Sequence, residues 1–129
     1  MRNLTMLTDL YQITMMNGYF QAGKHRDEAV YDLFFRKRAP ETNYAIAAGL
    51  AQVIDLINNI HFAPEDIAYL RSLGLFGEDF LEMLKTLRFT GDIHAVPEGT
   101  VVFPMEPLLR VRAPICEAQL VETALLNIV

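Results

Sequence analysis

A chain of 129 residues is expected to form a single domain, and its formal net charge of −5 argues against nucleic acid as a main partner. Its one cysteine, Cys116, excludes an intrachain disulfide and indicates a reducing compartment. No stretch approaches the roughly 18 consecutive apolar residues of a membrane span. We therefore expect a cytoplasmic protein that binds neither nucleic acid nor a membrane. Because 52% of the residues are apolar, some apolar surface is expected to meet a partner or a second domain.

The first element is predicted to be a helix from Thr8 to Gln21. Thr8 is a suitable N-cap, and Asp9 places a carboxylate in the first turn, where the helix dipole favours negative charge. Gly23 follows as a stop signal. A strand is predicted next over 28–37, because β-branched and aromatic residues alternate there with polar ones.

Three more helices are predicted over 44–60, 64–73 and 76–87. Apolar residues recur at helical spacing in the first and the third. Pro64 suits the first position of the second helix, and Gly74 suits its end. After Gly91, short β-type runs at 93–96, 101–103 and 108–111 alternate with turn residues, which predicts an antiparallel segment joined to the earlier strand.

The last predicted helix begins at Ala113 or Pro114 and continues to the end of the sequence. Apolar residues cover most of its circumference, as in a buried helix. Each large apolar side chain left in water forfeits about 1.5–3 kcal/mol, so we expect this helix to be covered by more chain, a partner or a second copy. Glu117 and Glu122 are interpreted as its polar stripe; the alternative is that one of them is buried and pairs with a basic group outside this chain. Cys116 is interpreted as a small apolar filler.

Several phrases resemble nicotinate phosphoribosyltransferases, in that family's order and spacing, over essentially the whole chain. The first is LTDLYQITM at 7–15 and the second is YDLFFRK at 31–37. Further matching phrases are YAIAAGL at 44–50, DIAYLRSLG at 66–74, PEGTVVFP at 97–104 and EAQLVETALLN at 117–127.

The resemblance implies an enzyme that joins nicotinate to phosphoribosyl pyrophosphate, giving nicotinate mononucleotide and pyrophosphate in NAD biosynthesis. It further implies coupling to ATP through a transiently phosphorylated histidine, Mg²⁺ at the pyrophosphate, and a homodimer. His25, His61 and His94 lie outside the family's phosphohistidine motif, so none of them receives that role. No residue of this chain is assigned a catalytic role, a metal or a cofactor of its own.

For the fold, the resemblance implies an α+β domain at 1–113, with helices packed on a small, mostly antiparallel sheet. The helix at 114–129 would lead into a (β/α) barrel domain that is absent from this sequence. Since the barrel of such enzymes holds the phosphoribosyl site, we expect this chain alone to be inactive. The competing hypothesis is a stand-alone, non-catalytic oligomerisation or interaction module related to the same domain.

Tyr11 is the strongest candidate for substrate binding. In similar enzymes the tyrosine of this phrase stacks on the pyridine ring from the neighbouring subunit, and a flat aromatic acid is well matched by a flat aromatic wall. The alternative is a core or boundary tyrosine of an amphipathic helix. Asp9, two residues earlier, would orient the ring site or a basic group of the partner; otherwise it is an ordinary first-turn carboxylate.

A basic cluster of Arg36, Lys37 and Arg38 lies where the predicted strand meets a loop. The resemblance implies that Arg36 and, less directly, Lys37 contact phosphate groups of the substrate. This agrees with their chemistry, because arginine binds phosphate through its planar guanidinium and lysine as a point charge. The alternative is a solvated strand end. The sequence contains no GxGxxG or P-loop motif, and its three histidines have no metal-ligand spacing.

Overall fold

The computed structural model describes residues 2–37, 39–41 and 43–129. Five helices and five strands follow one another as α1, β1, β2, α2, α3, α4, β3, β4, β5 and α5. The helices are α1 (Leu10–Gln21), α2 (Leu50–Asn58), α3 (Pro64–Ser72), α4 (Glu78–Thr86) and α5 (Ile115–Ile128). The strands are β1 (Glu28–Leu33), β2 (Ala45–Ile46), β3 (Asp92–Ala95), β4 (Val101–Val102) and β5 (Leu109–Pro114).

Two small antiparallel sheets organise the domain. In the larger sheet β5 lies in the centre, with β1 and β3 antiparallel on either side. In the smaller sheet β2 pairs with β4. Residues of β5 alternate between buried Leu109, Val111 and Ala113 and exposed arginines, so one face of the sheet meets the core and the other meets solvent. The predicted α+β class, with helices packed on a small antiparallel sheet, is confirmed.

The core forms where α5 packs against α1, β1 and β5 on the inner face of the larger sheet. Phe80 of α4 is fully buried, and its ring centroid lies 5.7 Å from that of Phe20 and 5.4 Å from that of Phe76. Helices α3 and α4 pack on each other and contribute Ile67, Leu70, Leu81 and Leu84 to the same core. Among the described residues, no helix is long and apolar enough to cross a membrane.

The prediction of one helix over 44–60 is wrong in its first part. Ala45 and Ile46 form β2, and Gly49 then takes a left-handed conformation with φ of 100° before α2 begins. A Cβ at Gly49 would lie 2.6 Å from the Ile128 carbonyl oxygen, so only glycine fits there. Glu98 accepts hydrogen bonds from the backbone N–H groups of Gly49 and Ala51 (3.0 and 3.2 Å) and thereby caps the helix.

Two other boundaries differ from prediction. Asp9 rather than Thr8 is the N-cap of α1, although its carboxylate makes no capping hydrogen bond. Strand β1 ends at Leu33 instead of continuing to Lys37, because its ladder partner β5 begins at Leu109, the residue opposite Leu33. The chain beyond β1 is still held, since the Phe35 carbonyl accepts a hydrogen bond from the Met105 backbone N–H (2.9 Å).

Helix α5 is covered mostly by this chain itself, which corrects the expectation that it needs cover from outside. Leu120, Val121, Ala124 and Leu125 are buried, and Leu126 is the exposed exception among its large apolar residues. Glu117 is also buried, so placing it on a polar stripe is wrong. Its carboxylate accepts hydrogen bonds from the Thr90 backbone N–H (3.0 Å) and hydroxyl (2.9 Å), which satisfy the buried charge.

Cys116 is buried in the core, as predicted for an apolar filler, and its thiol donates to the Met16 carbonyl oxygen (3.5 Å). Desolvation, aided by the negative charge of Glu117, raises the pKa of the Cys116 thiol to about 12. We expect the folded protein to resist alkylation by iodoacetamide at pH 8, and the unfolded protein to react readily, because only the thiolate is nucleophilic. Mass spectrometry with and without urea checks this, and fast labelling of the folded protein would contradict it.

Candidate functional site

The amino-terminal turn of α1 presents Tyr11 at the surface. Its side chain is 52% exposed, whereas the next two residues, Gln12 and Ile13, are buried in the domain. Tyr11 is therefore not a core residue, and about half of its surface is open to solvent. The Tyr11 carbonyl accepts a hydrogen bond from the Thr14 hydroxyl (3.0 Å), within the first turn of the helix.

The Tyr11 hydroxyl contacts the first of two buried glutamine side chains that are hydrogen-bonded to each other. The amide of Gln12 donates from Nε2 to the Tyr11 hydroxyl (2.9 Å). Gln119 of α5 donates from its own Nε2 to Gln12 Oε1, and its Oε1 accepts from the Tyr31 hydroxyl (2.9 Å). The Gln12 and Gln119 side chains are 0% and 3% exposed, so this row of polar groups connects α1, α5 and β1 through the interior.

Two carboxylates lie at the edges of this row. Glu122 accepts a hydrogen bond from Gln119 Nε2 (3.3 Å), and Asp9 accepts one from the Thr123 hydroxyl (3.3 Å). Gln12 Nε2 in turn lies 3.4 Å from the Thr123 hydroxyl oxygen. Partial desolvation, with the negative charges of Glu122 and Asp9, raises the pKa of Tyr11 above its ordinary value. The phenol is therefore protonated at neutral pH.

An apolar groove of about 340 Å³ opens beside this row, between α5 and the inner face of the larger sheet. Tyr31, Asp32 and Glu122 are its polar lining residues, and the other lining residues are aliphatic. The row of hydrogen bonds thus ends at an exposed aromatic ring on one side and at a groove on the other.

Arg36 and Lys37 follow β1 and are exposed, and Arg38 lies outside the described residues. Within the described part of the chain, no ion pair involves either of them, and no hydrogen bond joins them to Tyr11 or Asp9. The structure therefore leaves their side chains open to solvent without bringing them into the Tyr11 row. The nearby paired cation is Arg110, which donates to both carboxylate oxygens of Asp32 (2.6 and 2.9 Å) and lowers the pKa of that carboxyl.

Metal-ligating side chains do not cluster among the described residues. No group of three or more His, Cys, Asp or Glu side chains among them is placed to hold a metal ion. His25 lies against Phe20 (4.9 Å between ring centroids), His61 is held by Asn3 and the Asn59 carbonyl, and His94 lies on β3. Since the three histidines occupy different parts of the fold, we derive no step through Mg²⁺ or ATP from these residues.

Tyr11 and Asp9 stay predictions from the sequence, which did not indicate the polar side chains that the structure places beside them: Gln12, Gln119, Tyr31 and Thr123. The sequence carried only a weak signal for Gln12, which lies four positions before the apolar Met16 and therefore on the same side of the helix. The partner residues had no comparable signal, since Gln119 lies 107 positions away in sequence.

Two solved structures share this α+β fold. A solved structure of a nicotinate-nucleotide pyrophosphorylase from Pyrococcus furiosus superposes with a TM-score of 0.66 at 17% identity, covering 98% of this chain and 25% of that one. At this identity the likeness concerns the fold alone. The crystal structure of human nicotinic acid phosphoribosyltransferase superposes with a TM-score of 0.86 at 38% identity, covering 95% of this chain and 25% of that one.

The family follows from the sequence match. The model of the nicotinate phosphoribosyltransferase N-terminal domain matches residues 6–129, so this chain belongs to that family. A nicotinate phosphoribosyltransferase of Mycobacterium tuberculosis is 49% identical over 122 residues, and one of Bacillus subtilis is 46% identical over 127 residues. These matches cover 95% and 98% of this chain but 26% of each relative. The chain therefore spans about a quarter of the length of these relatives, and the resemblance inferred from its motifs is confirmed.

Proposed function

We propose that the complete protein carrying this domain is a nicotinate phosphoribosyltransferase, which joins nicotinate to phosphoribosyl pyrophosphate with coupled ATP hydrolysis. The proposal is supported by relatives of that name at 49% and 46% identity across nearly the whole chain. Mg²⁺ and ATP are part of the same proposal and are assigned to the part of the protein that the matched relatives contain and this chain does not span. A cytoplasmic homodimer is part of the same proposal.

In this proposal the domain supplies a wall for the pyridine ring, and the observation that carries it is the environment of Tyr11. Tyr11 is 52% exposed as a residue, while its hydroxyl accepts a hydrogen bond from a buried amide that restrains it. A fixed flat surface binds a flat ring without first losing side-chain entropy. Asp9 lies at the edge of the same row and would orient a basic group or the ring site.

Arg36 and Lys37 are proposed to contact phosphate groups of the substrate. Both side chains are exposed and have no acidic partner within the described residues, so their charges remain available. Positive groups at a departing pyrophosphate stabilise the negative charge that develops there, and this stabilisation is a large part of catalysis in group transfer. Their role would therefore be binding and charge stabilisation rather than proton transfer.

The test is to measure nicotinate mononucleotide formation by the complete protein with nicotinate, phosphoribosyl pyrophosphate, Mg²⁺ and ATP. We expect product and a decrease in rate when ATP is omitted. The 129-residue chain alone is expected to form no product, because it spans about a quarter of the length of these relatives and the resemblance assigns most of the phosphoribosyl site to the part that it does not span. Absence of product with the complete protein would refute the proposed activity and favour a non-catalytic interaction module. Turnover by the short chain would refute its proposed inactivity.

A further inference from the structure

The hydrogen bonds that join Tyr11, Gln12 and Gln119 run in one donor-to-acceptor order. That order determines whether the Tyr11 hydroxyl donates a hydrogen bond to a ligand or accepts one from it. A primary amide has a donor end and an acceptor end of nearly the same shape, so its orientation is decided by its partners. Here two amides, Gln12 and Gln119, contact each other in the interior. If the nitrogen and oxygen positions of both amides were exchanged, each donor in the row would become an acceptor and each acceptor a donor.

Glu122 determines the orientation from one side. A carboxylate at neutral pH only accepts hydrogen bonds, so the Gln119 atom 3.3 Å from Glu122 Oε2 must be the nitrogen. That nitrogen also faces Gln12, which must therefore present its oxygen to Gln119 and its nitrogen to Tyr11. The remaining oxygen of Gln119 accepts the proton of the Tyr31 hydroxyl.

Asp9 determines the same orientation from the other side. Its carboxylate also only accepts, so the single hydroxyl proton of Thr123 points to Asp9 (3.3 Å). The Thr123 oxygen is then an acceptor for its other neighbour, and the Gln12 atom 3.4 Å away must be the nitrogen. Two carboxylates on different elements thus require the same orientation of Gln12.

We propose that Asp9 and Glu122, acting through the amides of Gln12 and Gln119, make the Tyr11 hydroxyl a hydrogen-bond donor toward the ligand. Because the Tyr11 oxygen accepts from Gln12 and the hydroxyl has no acceptor among the described residues, its own proton is available to the ligand. A phenolic proton lies in the plane of its ring, so the acceptor approaches near that plane, as would the carboxylate of a pyridine carboxylic acid whose ring packs at an angle against Tyr11. This inference rests on the proposed function for the identity of that ligand, and it makes Gln12, Gln119 and Glu122 positioning residues.

The orientation itself is tested without any ligand. In the complete protein labelled with ¹⁵N-glutamine, nuclear Overhauser contacts of the Gln12 side-chain amide protons are measured. We expect contacts to the Tyr11 ring and the Thr123 methyl group. Contacts from the Gln12 amide protons to the Gln119 side chain instead would overturn the inference, whether or not the protein binds nicotinate.

The consequence for the ligand is tested by a double-mutant cycle on the Kd of nicotinate in the complete protein. Tyr11→Phe is expected to weaken binding by about tenfold, because a hydrogen bond to a charged group is of that size. The near-isosteric pair Asp9→Asn with Glu122→Gln removes both acceptor-only groups and also two negative charges near an anionic ligand. In the Tyr11→Phe background only the loss of charge acts, since no hydroxyl remains to be oriented. With Tyr11 present, the pair is expected to weaken binding by roughly threefold to tenfold relative to its effect in that background.

Glu65→Gln, which removes an exposed carboxylate on α3, is the control for loss of charge and should leave Kd unchanged. If the effects of Tyr11→Phe and of the Asp9→Asn, Glu122→Gln pair on Kd simply add when the substitutions are combined, the inference is overturned. A purely structural role of Asp9 and Glu122 would not depend on the Tyr11 hydroxyl. A wild-type protein that binds no nicotinate while its Gln12 amide has the expected contacts would instead refute the proposed function alone.

Discussion

Tyr11→Ala is expected to weaken nicotinate binding by the complete protein roughly 10- to 100-fold. The substitution removes an aromatic contact of about 0.5–1.5 kcal/mol together with the apolar area that a stacked ring would bury. Isothermal titration of nicotinate measures the change directly. Since Tyr11 is 52% exposed in this domain, loss of its ring should affect folding much less than binding.

Tyr69→Ala is the matched control for this substitution. Tyr69 lies on α3, and its side chain is 57% exposed, close to the value for Tyr11. Both variants lose the same atoms from a half-exposed helical position, so a difference between their Kd values reports the site and not the substitution. Equal affinities of wild type, Tyr11→Ala and Tyr69→Ala would remove Tyr11 from the proposed ring site.

Leu125→Ala is expected to lower the free energy of unfolding by about 2–5 kcal/mol, whereas Leu126→Ala should change it by about 0.5 kcal/mol or less. The two leucines are adjacent in α5, but Leu125 is 4% exposed and Leu126 is 59% exposed. Removing the Leu125 side chain leaves a cavity among the core residues, whereas removing the Leu126 side chain takes away atoms that lie mostly in solvent. Urea denaturation of the 129-residue chain measures both values.

The comparison also tests how α5 is covered. Equal costs for the two substitutions in this chain would contradict the burial pattern of the helix. If Leu126→Ala becomes costly only in the complete protein, then further chain or a second subunit covers that side chain. The same pair therefore separates burial by this domain from burial by its surroundings.

Local signals in the sequence predicted several elements correctly. Pro64 and Gly74 bracket α3, because proline suits the first helical position and glycine tolerates the positive φ that follows the last turn. The short β-type runs after Gly91 lie where β3, β4 and β5 form. The family motifs, which span the chain, predicted the α+β fold and the family, and both are confirmed.

Errors in the prediction arose where a distant segment decides the local structure. Ala45 and Ile46 fit a helical pattern by spacing, yet they pair with Val101 and Val102 of β4, more than fifty positions away. Glu117 fits a polar stripe, yet Thr90 satisfies its carboxylate inside the domain. In both cases hydrogen bonds to a remote segment outweigh a weak local preference.

For the site, the sequence alone was enough to single out Tyr11 and Asp9, because both lie in a phrase that characterises the family. The sequence could not indicate that the Tyr11 hydroxyl is held by Gln12, that Gln12 meets Gln119, or that the last helix is mostly covered by its own domain. These features depend on α1 and α5 lying side by side, and contacts between residues more than a hundred positions apart have no periodicity or spacing that a sequence reveals. Only the packing of the two helices on the sheet determines them, since burial is what obliges each polar group to find its partner.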